Sequence, residues 1–288
     1  MEAIDRVGVV GCGLMGSGIA EVAARAGCDV VAVEISPEAA ESGRGRVVRS
    51  LDRALGAGKL DEATRDAALG RLAVTTEREA LADRQLVVEA VIESQDDKVE
   101  VFDWVDKVVV DAGAVLASNT SSIPIMKLAM ATRRPAQVVG IHFFNPVPVL
   151  PLVELVTSLL TTTETAEASE RFASERLGKS VIRSQDRAGF IVNALLIPYL
   201  LSAIRMLESG FATSEHIDEG MVLGCAHPMG PLALTDLIGL DTTMAVAESL
   251  YEEFKEQLYA PPPLLARMVE AGLLGRKTGR GFYEYPRR

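Results

Sequence analysis

Short apolar runs and helix-patterned stretches alternate through the first two thirds of the chain, and the short runs stop near residue 189. Runs rich in Val, Ile and Leu, closed by turn residues, have the pattern of buried strands in a parallel sheet. They fall at residues 7–10, 29–34, 71–76, 86–92, 114–118, 137–144, 152–156 and 179–182. Helical patterns at 17–26, 36–56, 61–69, 96–111 and 163–177 separate most of them. Ser36-Pro37-Glu38 is a helix start, with Ser as the cap and Pro in the first turn. The helical excursion over 36–69 exceeds what a minimal crossover needs, which suits a role in substrate binding. Beyond 189 only long apolar helical segments follow, at 190–207, 214–223, 239–254 and 263–271. The pattern predicts an α/β, Rossmann-type domain over residues 1–186. A smaller all-α domain follows over 187–288, expected to serve substrate binding and dimerisation.

The first run leads into Gly11-Cys-Gly13-Leu14-Met15-Gly16, a helix-like segment follows at once, and the next strand ends in Glu34. Strand, Gly-x-Gly-x-x-Gly turn, helix, strand and acid form the dinucleotide-binding fingerprint in its structural context. Gly11 permits the tight turn, Gly13 lets backbone approach a pyrophosphate, and Gly16 lets helix and strand close together. The helix start offers its N–H groups and positive dipole end to phosphates. Glu34 stands where an acid bonds a ribose diol and repels a 2′-phosphate, which favours NAD over NADP. Arg44 and Arg46 are expected to lie too far along the chain to offset that repulsion. Two further polar clusters, Glu93-Ser94 and Asn119-Thr120-Ser121-Ser122, follow strand ends, where such sheets place ligands.

The net charge of −11 argues against a nucleic-acid partner, which needs a basic face. Cys12, Cys28 and Cys225 are isolated, so no disulfide framework is implied and a reducing cytoplasm fits. Cys12, inside the glycine turn, is expected to be a small filler. Glu2, Asp5 and Arg6 interrupt the N-terminal apolar run, which is unlike a signal peptide. The most apolar window, 189–204, is too short for a bilayer and contains Asn193 and Pro198, so no membrane partner is expected. The scattered His and Cys residues have no metal-ligand spacing, and no metal is expected. Neither a nucleophile elbow nor a Walker lysine is present.

Beyond these readings, the chain resembles the bacterial 3-hydroxyacyl-CoA dehydrogenases, and among them the 3-hydroxybutyryl-CoA dehydrogenases. Besides the glycine turn, the matching segments are Glu89-Ala-Val-Ile-Glu93, Ala117-Ser-Asn-Thr-Ser-Ser122 and His142-Phe-Phe-Asn-Pro146. Asp186-Arg-Ala-Gly-Phe-Ile-Val-Asn193, His227-Pro-Met-Gly-Pro231 and Gly275-Arg-Lys-Thr-Gly-Arg-Gly-Phe-Tyr283 continue the series in family order. The resemblance implies NAD-dependent oxidation of an (S)-3-hydroxyacyl-CoA, with short acyl chains, as part of fatty-acid β-oxidation. It implies His142 as catalytic base and Glu154 as its carboxylate partner. Ser121 and Asn193 would sit at the reacting end of the acyl group, between the two domains. Gly11, Gly13, Leu14, Met15, Gly16, Glu34, Glu93, Lys98, Ser121, Asn145 and Lys277 would hold the NAD. Ser50 matches a position near the CoA. A family lysine beyond that serine aligns with Ala57 here, and the nearest lysine is Lys59, so the residue holding the CoA phosphate stays open. A homodimer is implied as well.

Taken singly, these residues also admit plainer readings. His142 on an apolar strand can be a satisfied core histidine, and His227 and His216 read as a turn residue and a solvated polar position. Ser121 and Ser122 can be turn formers. Two alternative functions remain: a dehydrogenase of the same scaffold for an acyl-carrier-protein thioester or a sugar acid, and a non-catalytic NAD(H)-binding protein.

Overall fold

A computed structural model describes residues 3–286, which divide into two compact units between Asp186 and Arg187. The first unit is built on an eight-stranded sheet. Its strands are β1 (Arg6–Val10), β2 (Asp29–Val33), β3 (Leu72–Thr75), β4 (Leu86–Glu89), β5 (Val115–Ser118), β6 (Val138–Phe143), β7 (Leu152–Thr157) and β8 (Ser180–Gln185). Their order is β3-β2-β1-β4-β5-β6-β7-β8. β6 and β7 run antiparallel, whereas the other neighbouring pairs are parallel. The order reverses between β1 and β4, and doubly wound sheets bind ligands beyond the strand ends at that reversal.

Helices α1 (Leu14–Arg25), α2 (Pro37–Gly56), α3 (Glu62–Gly70), α4 (Gln95–Val108), α5 (Ile125–Ala129) and α6 (Thr163–Arg171) connect these strands. Several starts follow from side-chain caps: Ser36, Asp61, Ser94 and Thr162 each accept the N–H three residues on. Val7, Val9, Val30, Ala32, Val88 and Ile19 are fully buried in the core of this unit.

The structure corrects the sequence reading in four places. The run at 86–92 stops as a strand at Glu89, whose carboxylate accepts the Val91 N–H and turns the chain out of the ladder. The helix read over 163–177 ends at Arg171 and closes in a single π turn, Phe172–Arg176. The five-residue α5 was too short to show a period; Asp186 supplies its missing cap, accepting the Ile125 and Met126 N–H groups at 2.7 Å each. In the second unit, the sequence pattern missed α9, described next.

That unit contains α7 (Val192–Glu208), α8 (Ser214–Cys225), α9 (Pro231–Ile238), α10 (Leu240–Phe254) and α11 (Pro263–Glu270) around Leu201, Ile204, Leu232, Leu240, Leu250 and Leu265. Asp218 of α8 caps α9 from a distance, accepting the Leu232 and Ala233 N–H groups. Asp236 of α9 in turn accepts the Phe282 and Tyr283 N–H groups and the Tyr285 hydroxyl. Gly230 and Gly281 admit these carboxylates: a Cβ on either would lie 2.2 Å or less from an aspartate side chain. The His-Pro-Met-Gly-Pro and C-terminal Gly-rich segments are therefore packing features, and Tyr283 ties them together by donating to Asp218. No helix among the described residues is long and apolar enough to cross a membrane.

Candidate active site

Three groups of residues gather at the carboxyl ends of the parallel strands. The first is the glycine turn after β1. Gly11 has φ +85°, and a Cβ there would meet the Ala90 carbonyl. A Cβ on Gly16 would fall 1.8 Å from the Gly11 carbonyl oxygen, so only glycine closes this turn. Around the Cβ position of Gly13 there is open space for 4 Å, and α1 begins at Leu14 with no side-chain cap and no acid in its first turn. An uncapped helix start beside open space fits a pyrophosphate. Leu14 is exposed and Met15 half-buried at this start.

Glu34 follows β2, and its Oε1 accepts the Cys12 N–H at 2.5 Å while Oε2 accepts the Ile35 N–H. The acid thus lies beside the turn, placed for a ribose diol. Cys12 is buried, and burial together with the Glu34 charge pushes its thiol up to about 11, as suits a filler and not a nucleophile. Helix α2 crosses close to this turn because residue 43 is glycine: a Cβ there would lie 2.7 Å from that of Cys12. The close crossing carries Arg46 to the turn, where Nη1 donates to the Cys12 carbonyl at 3.4 Å. Sequence distance had placed Arg46 out of reach; the glycine contact brings it back. Arg44 is turned instead to the Leu72 carbonyl.

The second group lies at the strand reversal. Lys98 of α4 is 1% exposed and donates to Glu89 at 2.6 Å, with Glu93 at 3.3 Å. Glu93 Oε1 gathers the loop after β5, accepting from the Thr120 hydroxyl at 2.5 Å, the Ser121 N–H at 2.9 Å and the Ser122 N–H at 3.2 Å. The Ser121 hydroxyl points to the same oxygen at 3.4 Å. Burial alone would raise the Glu93 pKa, but the Lys98 ammonium and these donors outweigh it and hold the carboxyl below its ordinary value of 4.5. Of the implied cofactor residues here, Glu93 is exposed, Ser121 is half-buried and Lys98 is buried.

The third group is the β6–β7 step. His142 and Glu154 are direct partners in the antiparallel ladder, so both side chains leave the sheet on one face. His142 Nδ1 lies 2.7 Å from Glu154 Oε2, and both side chains are buried. The Phe144 ring tilts against the imidazole at 4.6 Å between centroids. Asn119 pins the strand end by accepting the Phe143 N–H. Lys179 donates to the Val147 and Leu150 carbonyls, anchoring the loop that carries exposed Asn145.

The remaining implied residues lie apart from these groups. Ser50 is half-buried on α2, on the side of the buried Glu21 of α1. Lys59 is exposed just beyond α2. In the second unit, Asn193 sits in the first turn of α7, and Lys277 forms an ion pair with Asp241. Sequence reading missed the part played by Glu89, although an acid inside an apolar strand run is itself a signal, because a buried charge requires partners.

A sheet reversing at an uncapped glycine turn, with an acid closing the next strand, defines a doubly wound dinucleotide-binding protein. Comparison with known proteins makes this specific. Residues 6–187 match the 3-hydroxyacyl-CoA dehydrogenase, NAD binding domain, and residues 189–285 match the 3-hydroxyacyl-CoA dehydrogenase, C-terminal domain. The chain belongs to the 3-hydroxyacyl-CoA dehydrogenase family, and its cofactor is NAD. It is 61% identical over 284 residues to a 3-hydroxybutyryl-CoA dehydrogenase of Mycobacterium tuberculosis, covering 99% of each chain. The crystal structure of an (S)-3-hydroxybutyryl-CoA dehydrogenase from Ralstonia eutropha is similar at a TM-score of 0.94 and 47% identity, covering 99% of this chain and 100% of that one. The human mitochondrial hydroxyacyl-coenzyme A dehydrogenase is 40% identical, covering 98% of this chain and 91% of its own.

Proposed function

We propose that the chain interconverts (S)-3-hydroxybutyryl-CoA and acetoacetyl-CoA, with His142 moving the proton and Glu154 supporting it. The observation that carries this reading is the buried 2.7 Å contact between His142 Nδ1 and Glu154 Oε2 near the carboxyl end of the sheet. With Nδ1–H donated to the carboxylate, Nε2 of the neutral ring is the acceptor, the state a general base requires. NAD, when bound, takes up or returns the hydride. Alcohol oxidation requires the hydroxyl proton to leave as well; Nε2 accepts it, and Glu154 stabilises the imidazolium that results. In reduction the imidazolium returns that proton to the carbonyl oxygen. Ser121 and Asn193 serve as donors to the substrate oxygens, and Asn193→Ala is expected to lower turnover with NADH affinity nearly unchanged.

The same reading includes a homodimer formed through the second unit and a cytoplasmic setting. Exposed Leu195, Phe211, Leu223 and Leu237 support the first, since solvent-facing apolar side chains of this size favour burial against a partner. The free thiols of Cys12, Cys28 and Cys225 fit the second. A concentration-independent monomer mass in sedimentation would refute the dimer. The activity is tested by NADH oxidation with acetoacetyl-CoA. His142→Gln is expected to lose about 10²–10⁴-fold in turnover while still binding NADH. A folded, NADH-binding His142→Gln as fast as the parent would assign the proton to another group.

A further inference from the structure

We propose that the buried Glu89 is the positioning residue for the loop that carries Ser121. Glu89 ends β4 at the strand reversal and is 1% exposed. Its neighbours Val87 and Val88 are what a strand buried on both faces uses. A buried ion pair is by itself weak support for stability. Its value lies in what it holds.

Two hydrogen-bonded routes lead from Glu89 to Ser121. The first crosses to β5. Glu89 and Ser118 are direct ladder partners, and the Ser118 hydroxyl donates to Glu89 Oε2 at 2.7 Å. The Ser118 oxygen then accepts the Thr120 N–H at 3.1 Å, which fixes the first bend of the loop. The second route runs through α4. Lys98 Nζ donates to Glu89 Oε1 at 2.6 Å and reaches Glu93 Oε2 at 3.3 Å. Glu93 Oε1 in turn holds the Ser121 and Ser122 N–H groups and the Thr120 hydroxyl. The Val91 N–H closes the arrangement by donating to Glu89 Oε1 at 2.7 Å, which sets where Glu93 leaves the strand end. Glu89 therefore grips both sides of the Ser121 loop, one through the Ser118 hydroxyl it accepts and one through its charge on Lys98. Hydrogen-bonded groups that share partners in this way act as a unit.

The kinetic part rests on the role given to Ser121 above, so the test has an arm that does not. Glu89→Gln keeps the volume and an acceptor for Ser118 but turns a neutral amide towards Lys98. In the free protein, amide hydrogen exchange at residues 119–123 is expected to quicken about tenfold or more as the loop opens locally, with β4 and β5 still protected. In turnover of acetoacetyl-CoA, Glu89→Gln is expected to lose about 10- to 100-fold in kcat, the scale of a small misplacement. Added to Ser121→Ala, it should change kcat by less than about threefold, because it acts through that residue. Unchanged exchange at 119–123 overturns the inference, as does a full multiplicative loss on top of Ser121→Ala. A parent protein that does not turn over acetoacetyl-CoA overturns the proposed function instead, and the exchange arm still decides the role of Glu89. If Glu89→Gln does not fold, Ser118→Ala cuts the first route alone, and loop exchange as slow as in the parent then overturns the proposal.

Discussion

Replacing Glu154 by Gln tests the proposed chemistry with the least disturbance to the fold. The side chain is fully buried and stands opposite His142 in the ladder, and Gln has nearly the same shape. The amide oxygen can still accept from Nδ1, so ring orientation survives; the negative charge is lost. A hydrogen bond to a charged group contributes about 1.5–3 kcal/mol, and Glu154 exerts that difference on the imidazolium, the form present after proton transfer. At 1.36 kcal/mol per decade, the rate of oxidation should fall by about 10- to 100-fold. His142→Gln removes the base itself and should fall further. The assay is steady-state turnover in both directions, with NADH affinity measured separately by fluorescence titration. NADH affinity should stay within about threefold of the parent, since neither residue belongs to the glycine turn or to Glu34. Two results would refute the reasoning: a Glu154→Gln rate within threefold of the parent, a tolerance set roughly by that expected range, or a loss that appears wholly as weaker NADH binding.

Gly13→Ala places a methyl in open space and should leave Tm unchanged while weakening NADH binding; Gly16→Ala, 1.8 Å from the Gly11 carbonyl oxygen, should lower both. Equal NADH affinity in Gly13→Ala and the parent would remove the pyrophosphate from this turn. NADH should be strongly preferred to NADPH, because a phosphate charge about 4 Å from Glu34 costs about 4 kcal/mol at an effective dielectric of 20. Glu34→Gln should narrow that preference, and Arg46→Ala added to it should restore part of the gap by removing the cation beside Cys12; comparable kcat/KM for the two cofactors in the parent would contradict this. Glu93 has a lowered pKa in the folded protein, so its stabilising contribution is complete above its unfolded value of 4.5 and is lost as pH falls through the lower folded value. Tm should therefore drop below about pH 4.5 less steeply in Glu93→Gln than in the parent, which parallel Tm–pH curves would disprove.

The sheet was largely legible because buried parallel strands announce themselves as apolar runs, and the start of α2 because Ser36 is a local cap; Asp61 and Ser94 cap α3 and α4 in the structure in the same way. What stayed hidden was set at a distance. α5 and α9 begin where a carboxylate from another part of the chain, Asp186 or Asp218, accepts their first N–H groups, and the local signal is weak: α9 has Pro231 in its first turn but no capping side chain beside it. The site divides in the same way. The glycine turn and Glu34 follow from spacing, but the meeting of His142 with Glu154 depends on a ladder register that the sequence does not state. The approach of Arg46 depends on a helix crossing that only the contact at Gly43 explains. The role of Glu89 is not legible from the strand-end motif it belongs to, because its partners Lys98 and Ser118 come from two other elements.

The antiparallel step between β6 and β7 separates the geometry of the His142–Glu154 pair from the length of the chain that joins them. The two side chains meet because the ladder sets them opposite each other, with 140 against 156, 141 against 155 and 143 against 153. The length of the 144–151 loop therefore does not by itself set the pair, although Phe144 on the His142 ring and the Lys179 anchors at Val147 and Leu150 tie that loop to the site. A single-residue deletion inside either strand parts the pair. With a side-chain period of two, it turns one member of the pair to the other face of the sheet, so the pair depends on strand register and not on the span of chain between the strands.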